Sequence, residues 1–276
     1  MRSLFLAITL VFATPLAAQD SDRILQRLNT FDDGRGWEAV GRLDIGGRGS
    51  CTGTLIAPKL VLTAAHCLYD QDTKARIDHR TIQFLAGWRN GRASAYRWVK
   101  RAVVDPDYVY EAETTAERVR NDVALLELDQ PINKANVVPF LIDSSPRKGQ
   151  KIGVVSYARG RNDAPSLQKD CDVIARQAGV LVMSCDVDFG SSGAPVFSFE
   201  GDQPRVVSVI SAMAELDGRK VSLGTRLEQP LAALKEALAS GGGTYQGPAQ
   251  DPAQDPAPKV FSSGLRRDIG AKFAKP

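Results

Sequence analysis

Short apolar or alternating runs, separated by turn residues, dominate the chain from Trp37 onward. Val40-Gly-Arg-Leu43, Thr54-Leu-Ile56, Leu60-Val-Leu62, Ile82–Leu85, Val123–Leu128, Ile152–Ser156, Val180–Met183 and Val206–Ser211 each have the length and residue types of a strand. Gly, Pro, Asn and Asp fall between most of them. Many short strands over about 200 residues predict an all-β architecture, a barrel or sandwich pair. One segment departs from this period. Pro230–Ser240 combines strong helix formers, a proline suited to a first turn, and Leu231, Leu234 and Leu238 on one face. The glycines at 241–243 end it.

The two ends read differently from the middle. Arg2, the apolar stretch Leu4–Phe12 and the small pair Ala17-Ala18 form the pattern of a secretory signal peptide over residues 1–18. Residues 19–36 are polar and rich in Asp, Arg and Gly, resembling a leader or propeptide more than a core element. The globular domain is expected over 37–240. Residues 241–276 form a Pro/Gly-rich tail in which Gly247–Pro258 lacks the apolar content to build a core, so disorder is expected there.

Composition narrows the chemistry. The 276 residues are 43% apolar and 24% charged, with a formal charge of +3. That balance is too weakly basic to argue for nucleic acid, and no 18-residue apolar run follows the N-terminus, so no membrane partner is expected once the signal is removed. Arg89–Arg101 holds five basic residues with Tyr96 and Trp98, and its alternation favours a solvated sheet edge over a polyanion patch. Only two His and four Cys are present, which leaves little room for a multi-metal protein. An exported chain with an even cysteine count points to disulfides, and four cysteines allow three pairings.

Three separated segments carry the candidate chemistry: Leu62-Thr-Ala-Ala-His-Cys67, preceded by Cys51-Thr-Gly-Thr-Leu-Ile56; Asn121-Asp-Val-Ala-Leu-Leu-Glu-Leu128; and Asp186-Val-Asp-Phe-Gly-Ser-Ser-Gly-Ala-Pro-Val196. In the order His, Asp, Ser they resemble the trypsin/chymotrypsin-like serine peptidases, with variations closer to the bacterial secreted, V8-like branch. The resemblance spans about residues 37–239. It implies two packed antiparallel β-barrels with a C-terminal helix, the barrel boundary falling at about 130–150. It also implies a secreted or periplasmic endopeptidase acting on peptides or proteins without metal or organic cofactor.

A serine hydroxyl is a weak nucleophile at neutral pH and needs a base within hydrogen-bond reach; histidine can take that proton and return it to the leaving group. The resemblance assigns His66 as base, Asp122 as its orienting partner and Ser192 as nucleophile, with the N–H groups of Gly190 and Ser192 as the oxyanion hole. His79, the rival base, sits in a charged stretch that reads as a solvated loop. Asp105 and Asp107 are the rival carboxylates and read as turn residues. Ser191 competes with Ser192, but the pattern Gly-x-Ser-Gly selects Ser192. An α/β-hydrolase elbow fails because position 194 is Ala.

The resemblance pairs Cys51 with Cys67, and Cys171 then pairs with Cys185; each loop of about 15 residues is worth about 3 kcal/mol in chain entropy. Asp186 lies six residues before Ser192, where trypsin-type enzymes place the carboxylate that binds Arg or Lys, though it could equally cap its loop. Ser211 is a candidate to align the substrate backbone. Glutamate-specific relatives use a histidine near Ile210, and no histidine follows His79 here. Many members keep an aspartate before the nucleophile for a newly cut N-terminus; Ser191 stands there, and activation by that salt bridge is not expected. A silent peptidase-like binding or regulatory protein, or an esterase with the same triad, are the competing functional readings.

Overall fold

The computed structural model describes residues 25–110 and 114–245. The signal-peptide reading and the tail beyond Tyr245 fall outside the described residues. After a short strand β1 (Gln26–Arg27), six antiparallel strands close the first barrel: β2 (Val40–Ile45), β3 (Ser50–Ala57), β4 (Leu60–Thr63), β5 (Ile82–Ala86), β6 (Ala95–Val104) and β7 (Ala124–Leu128). Their order around the barrel is β2-β3-β4-β7-β6-β5, with β5 returning to β2. Closure removes the free edges that six short strands would otherwise expose. Leu43, Leu55, Phe84 and Leu126 are buried on one face of this sheet, and Leu62 and Leu125 on the other.

The second barrel takes β8 (Lys151–Ser156), β9 (Ser166–Gln177), β10 (Val180–Met183), β11 (Pro195–Ser198), β12 (Arg205–Leu216) and β13 (Arg219–Arg226). The ladder runs β9-β10-β13-β12-β11-β8 and closes through β8–β9. Ile152, Val154, Val173, Leu181, Met183, Val196, Val207 and Ile210 form its core. Trp37 joins the two halves, with its ring 5.8 Å from Phe140 and 5.1 Å from Phe197.

Helix α1 (Ala116–Asn121) is one short turn before β7, capped by Thr115, whose hydroxyl accepts from the Arg118 N–H. Helix α2 (Glu228–Ala239) returns from the second barrel to the first and buries Leu231, Leu234 and Leu238. Pro230 sits in its first turn, where no intrahelical N–H is needed. The helix ends because Gly241, at φ +88°, turns left-handed. Its N–H donates to Leu238 O and that of Gly242 to Ala237 O, satisfying the last carbonyls.

The described part of the segment read as a leader or propeptide packs on the domain: β1 pairs with β9, and Leu28 is fully buried. Two sequence expectations need correction. The basic run is no sheet edge, because β6 pairs with both β5 and β7. His79 is buried in a 3-10 turn (His79–Thr81), where its Nε2 lies 3.1 Å from Lys100 O.

Candidate active site

The chain leaves β4 through fully buried Ala64 and Ala65 into a 3-10 turn (Ala65–Leu68) that carries His66. A disulfide from Cys67 to Cys51 ties this turn to β3, and a second joins Cys171 to Cys185. Asp122 caps the end of α1, directly before β7. One of its carboxylate oxygens, Oδ2, lies 2.7 Å from His66 Nδ1, and the other accepts the His66 backbone N–H at 2.8 Å. The Asp122 side chain is 1% exposed and that of His66 15%. A buried carboxylate needs donors on each oxygen. The third comes from the second barrel, where the Ser211 hydroxyl donates to Asp122 Oδ2 at 2.5 Å. Ser211 is free to do so because the β12–β13 register shifts between Ile210 and Ala212, a bulge that re-aims its side chain. A carboxylate on Nδ1 favours the proton there, so Nε2 is left as an acceptor.

The loop Asp186–Ala194 presents its two serines differently. Ser191 is buried, with its hydroxyl on Ser156 Oγ at 3.2 Å and the Asp188 N–H pointing at it from 3.3 Å. Ser192 is half-buried and lines a cleft of about 620 Å³ together with His66, Gly190 and the Cys51–Cys67 bridge. Its hydroxyl makes no hydrogen bond among the described residues. Gly190 and Gly193 hold φ +94° and +76°. A Cβ on Gly193 would lie 2.1 Å from Thr63 Oγ1 and 2.4 Å from Thr52 O, so only glycine lets this loop approach the histidine segment.

Thr52, on β3, is the contact that sequence reasoning missed. Its N–H donates to Ser192 O at 2.8 Å, and its hydroxyl donates to Gly190 O at 2.9 Å and accepts the Tyr157 N–H at 3.1 Å. It thus clasps the second barrel's loop to the first barrel. Its place beside Cys51 was the available signal. Thr225 does the same behind Asp122, its hydroxyl donating to Val119 O.

The remaining candidates lie apart. Asp105 is buried and accepts the Asp107 N–H, a turn contact, and burial pushes its carboxyl up. Asp186 is exposed and outside the Ser192 cleft; its N–H donates to Gln168 Oε1 at 2.8 Å. Asp186 and Asp188 partly offset the burial that lowers the half-buried Arg161 guanidinium. One His/Cys grouping with metal-ligand spacing, Cys51, His66 and Cys67, occurs here; both sulfurs are in the disulfide, which leaves the imidazole as its single donor.

A model of the trypsin-like peptidase domain matches residues 51–206, more than half of the chain. The chain belongs to the trypsin-like peptidase family. Serine protease 23 from Homo sapiens is 32% identical over 165 residues, covering 53% of this chain and 42% of that protein. Glutamyl endopeptidase from Bacillus licheniformis is 27% identical over 150 residues, covering 54% of this chain and 45% of its own length. The chain thus spans less than half the length of these curated relatives. A solved Glu endopeptidase in complex with MPD superposes with a TM-score of 0.62 at 19% identity, over 78% of this chain and 96% of that one, a likeness of fold. In this trypsin-like peptidase domain, the matched span contains His66, Asp122 and Ser192, whereas Ser211 lies beyond it.

Proposed function

We propose that the protein is a serine endopeptidase whose His66, Asp122 and Ser192 cut peptide bonds through an acyl-enzyme. The observation that carries this reading is the contact of 2.7 Å between His66 Nδ1 and a buried Asp122, with His66 lining the same cleft as Ser192. In the first half-reaction Ser192 Oγ attacks the scissile carbonyl, its proton passes to His66 Nε2, and the Gly190 and Ser192 N–H groups receive the oxyanion. His66 then protonates the leaving amine, and water repeats the sequence on the ester. Family membership, the placement of the two serines and the disulfide beside His66 all support this assignment.

A preference for Arg or Lys before the cut rests on Asp186 alone, and the Arg161 guanidinium competes for that carboxylate. A glutamate preference has no histidine after His79 to support it. The two disulfides and the N-terminal apolar segment support export to an oxidising compartment. No helix among the described residues is long and apolar enough to cross a membrane.

Labelling with a fluorophosphonate tests the site. The label is expected on the wild type and on Ser191→Ala, and is lost in Ser192→Ala. Labelling that survives Ser192→Ala overturns the nucleophile assignment, and an unlabelled wild type favours a silent binding protein. Matched ester and amide substrates separate a peptidase from an esterase, and an Arg, Lys, Glu, Leu and Ala panel before the cut tests Asp186.

A further inference from the structure

The cleft beside Ser192 contains a guanidinium with no acidic partner. Arg159 follows β8, and its backbone N–H donates to Phe189 O at 2.7 Å. Its guanidinium carbon lies 4.5 Å from the centroid of the Phe189 ring. Phe189 directly precedes Gly190, so this stack, exposed at both residues, lies beside the proposed oxyanion donors. Among the described residues Arg159 makes no ion pair, and both Arg159 and Phe189 line the cleft.

The other charges on the cleft are placed differently. Asp70 accepts the Thr73 N–H at 2.9 Å, the Thr73 hydroxyl at 3.0 Å and the Asp72 N–H at 3.1 Å. Arg48 lies 3.6 Å from its other oxygen. These contacts, the Thr73 N–H foremost, hold the Asp70 carboxyl below its usual range. Asp72 is exposed and lines the same cleft, in the loop after Tyr69. Among the described residues Arg159 is therefore the cleft's cation without an ion pair, beside Phe189, and Asp72 its anion without one, in the loop after Tyr69.

The direction of the cleft identifies what enters it. It runs from His66 and Ser192 along the Cys51–Cys67 bridge and includes neither Ser211 nor Asp186. An amine protonated by His66 departs on the side of His66, so the leaving half of the substrate occupies this space. A stacked guanidinium is a planar, preoriented fork for a carboxylate and loses less freedom on binding than a free side chain.

Resting on the peptidase reading, we infer that Arg159 is a specificity-determining residue that selects Asp or Glu immediately after the cut. The test uses internally quenched peptides identical before the cut and carrying Asp, Ala or Lys directly after it. The wild type is expected to favour Asp over Lys in kcat/KM by about tenfold, the scale of one charge-assisted contact. Arg159→Gln should bring that ratio close to one and Arg159→Glu should invert it, and added salt should shrink it in the wild type. An unchanged ratio in Arg159→Gln overturns the inference. So does a wild-type preference for Lys, which would assign the selection to Asp72. A chromogenic anilide with nothing but the dye after the cut reports the triad on its own: wild-type turnover of the anilide with no Asp preference refutes Arg159 alone, and no turnover refutes the peptidase reading beneath it.

Discussion

Ser211 and Asp122 come from opposite barrels and share a hydrogen bond of 2.5 Å, made to the oxygen that also faces His66 Nδ1. The Asp122 carboxylate is thereby held from both barrels, by the histidine turn of the first and by a bulge in the second. Replacing Ser211 by Ala removes a donor from a buried charge, a loss of about 1.5–3 kcal/mol. Because this hydroxyl is bonded to Asp122 Oδ2, the loss should fall on kcat and leave KM near its wild-type value, about tenfold or more in rate. Steady-state kinetics on Ser211→Ala check this; a change confined to KM would assign Ser211 to substrate binding instead.

Gly193 tests how tightly the Ser192 loop is pressed against the histidine segment. An added Cβ meets the Thr63 hydroxyl and the Thr52 carbonyl well inside contact distance, on a residue already at φ +76°. Neither neighbour is free to retreat, since Thr63 Oγ1 donates to Thr52 O at 2.9 Å within the barrel wall. Gly193→Ala is expected to displace the loop and abolish fluorophosphonate labelling, with a fall in thermal midpoint. Normal labelling and an unchanged midpoint would show that the loop has room to spare.

The candidate segments are legible because their patterns are local: a histidine, an aspartate and a serine each sit in a recognisable short run. What stayed hidden depends on contacts made far along the chain. Thr52 matters through Gly190 and Ser192 of the other barrel, and no local pattern announces such a partner. Strand β6 inverts the usual polarity, with Tyr96 and Trp98 44% and 48% exposed while small Ala95 and Val99 face inward, so its basic residues read as an edge. His79 lies among Arg76, Asp78 and Arg80, whose charges suggest a wet loop although the ring itself turns under the strand. Leu28 is one of four apolar residues in the polar stretch 19–36, with Ile24, Leu25 and Phe31, and the distant pairing of β1 with β9 brings it to the core.

Leu28 makes the N-terminal segment testable. Its N–H donates to Pro165 O at 2.9 Å, its carbonyl accepts from Arg89 Nε at 2.7 Å, and the Asn29 carbonyl accepts from Asn90 Nδ2 at 3.1 Å. Leu28→Ala should cost about 2–5 kcal/mol, the range for emptying a buried leucine site. Removing residues 25–36 should cost at least as much, since β1 leaves with them. Urea unfolding of both variants measures this, and a truncated protein as stable as the full domain would support the reading of 19–36 as a leader or propeptide.

His79 gives the domain a predictable response to acid. Burial is the main cause holding its imidazole below the ordinary value of 6.5, with the Lys100 carbonyl and Asp78 pulling the other way and Arg76 and Arg80 adding to the depression. The Tyr245 ring packs edge-on against it, 6.0 Å between centroids. An unfolded chain takes up the proton near pH 6.5, whereas the folded chain does so only at lower pH. Between those two values the unfolded state holds more protons, so stability is lost as pH falls below about 6.5 and levels off once the folded imidazole is also charged. Unfolding free energies at pH 7.5 and 5.5 should therefore drop more in the wild type than in His79→Asn, with His66 common to both and cancelling in the difference. Equal drops in the two proteins would place the acid sensitivity elsewhere.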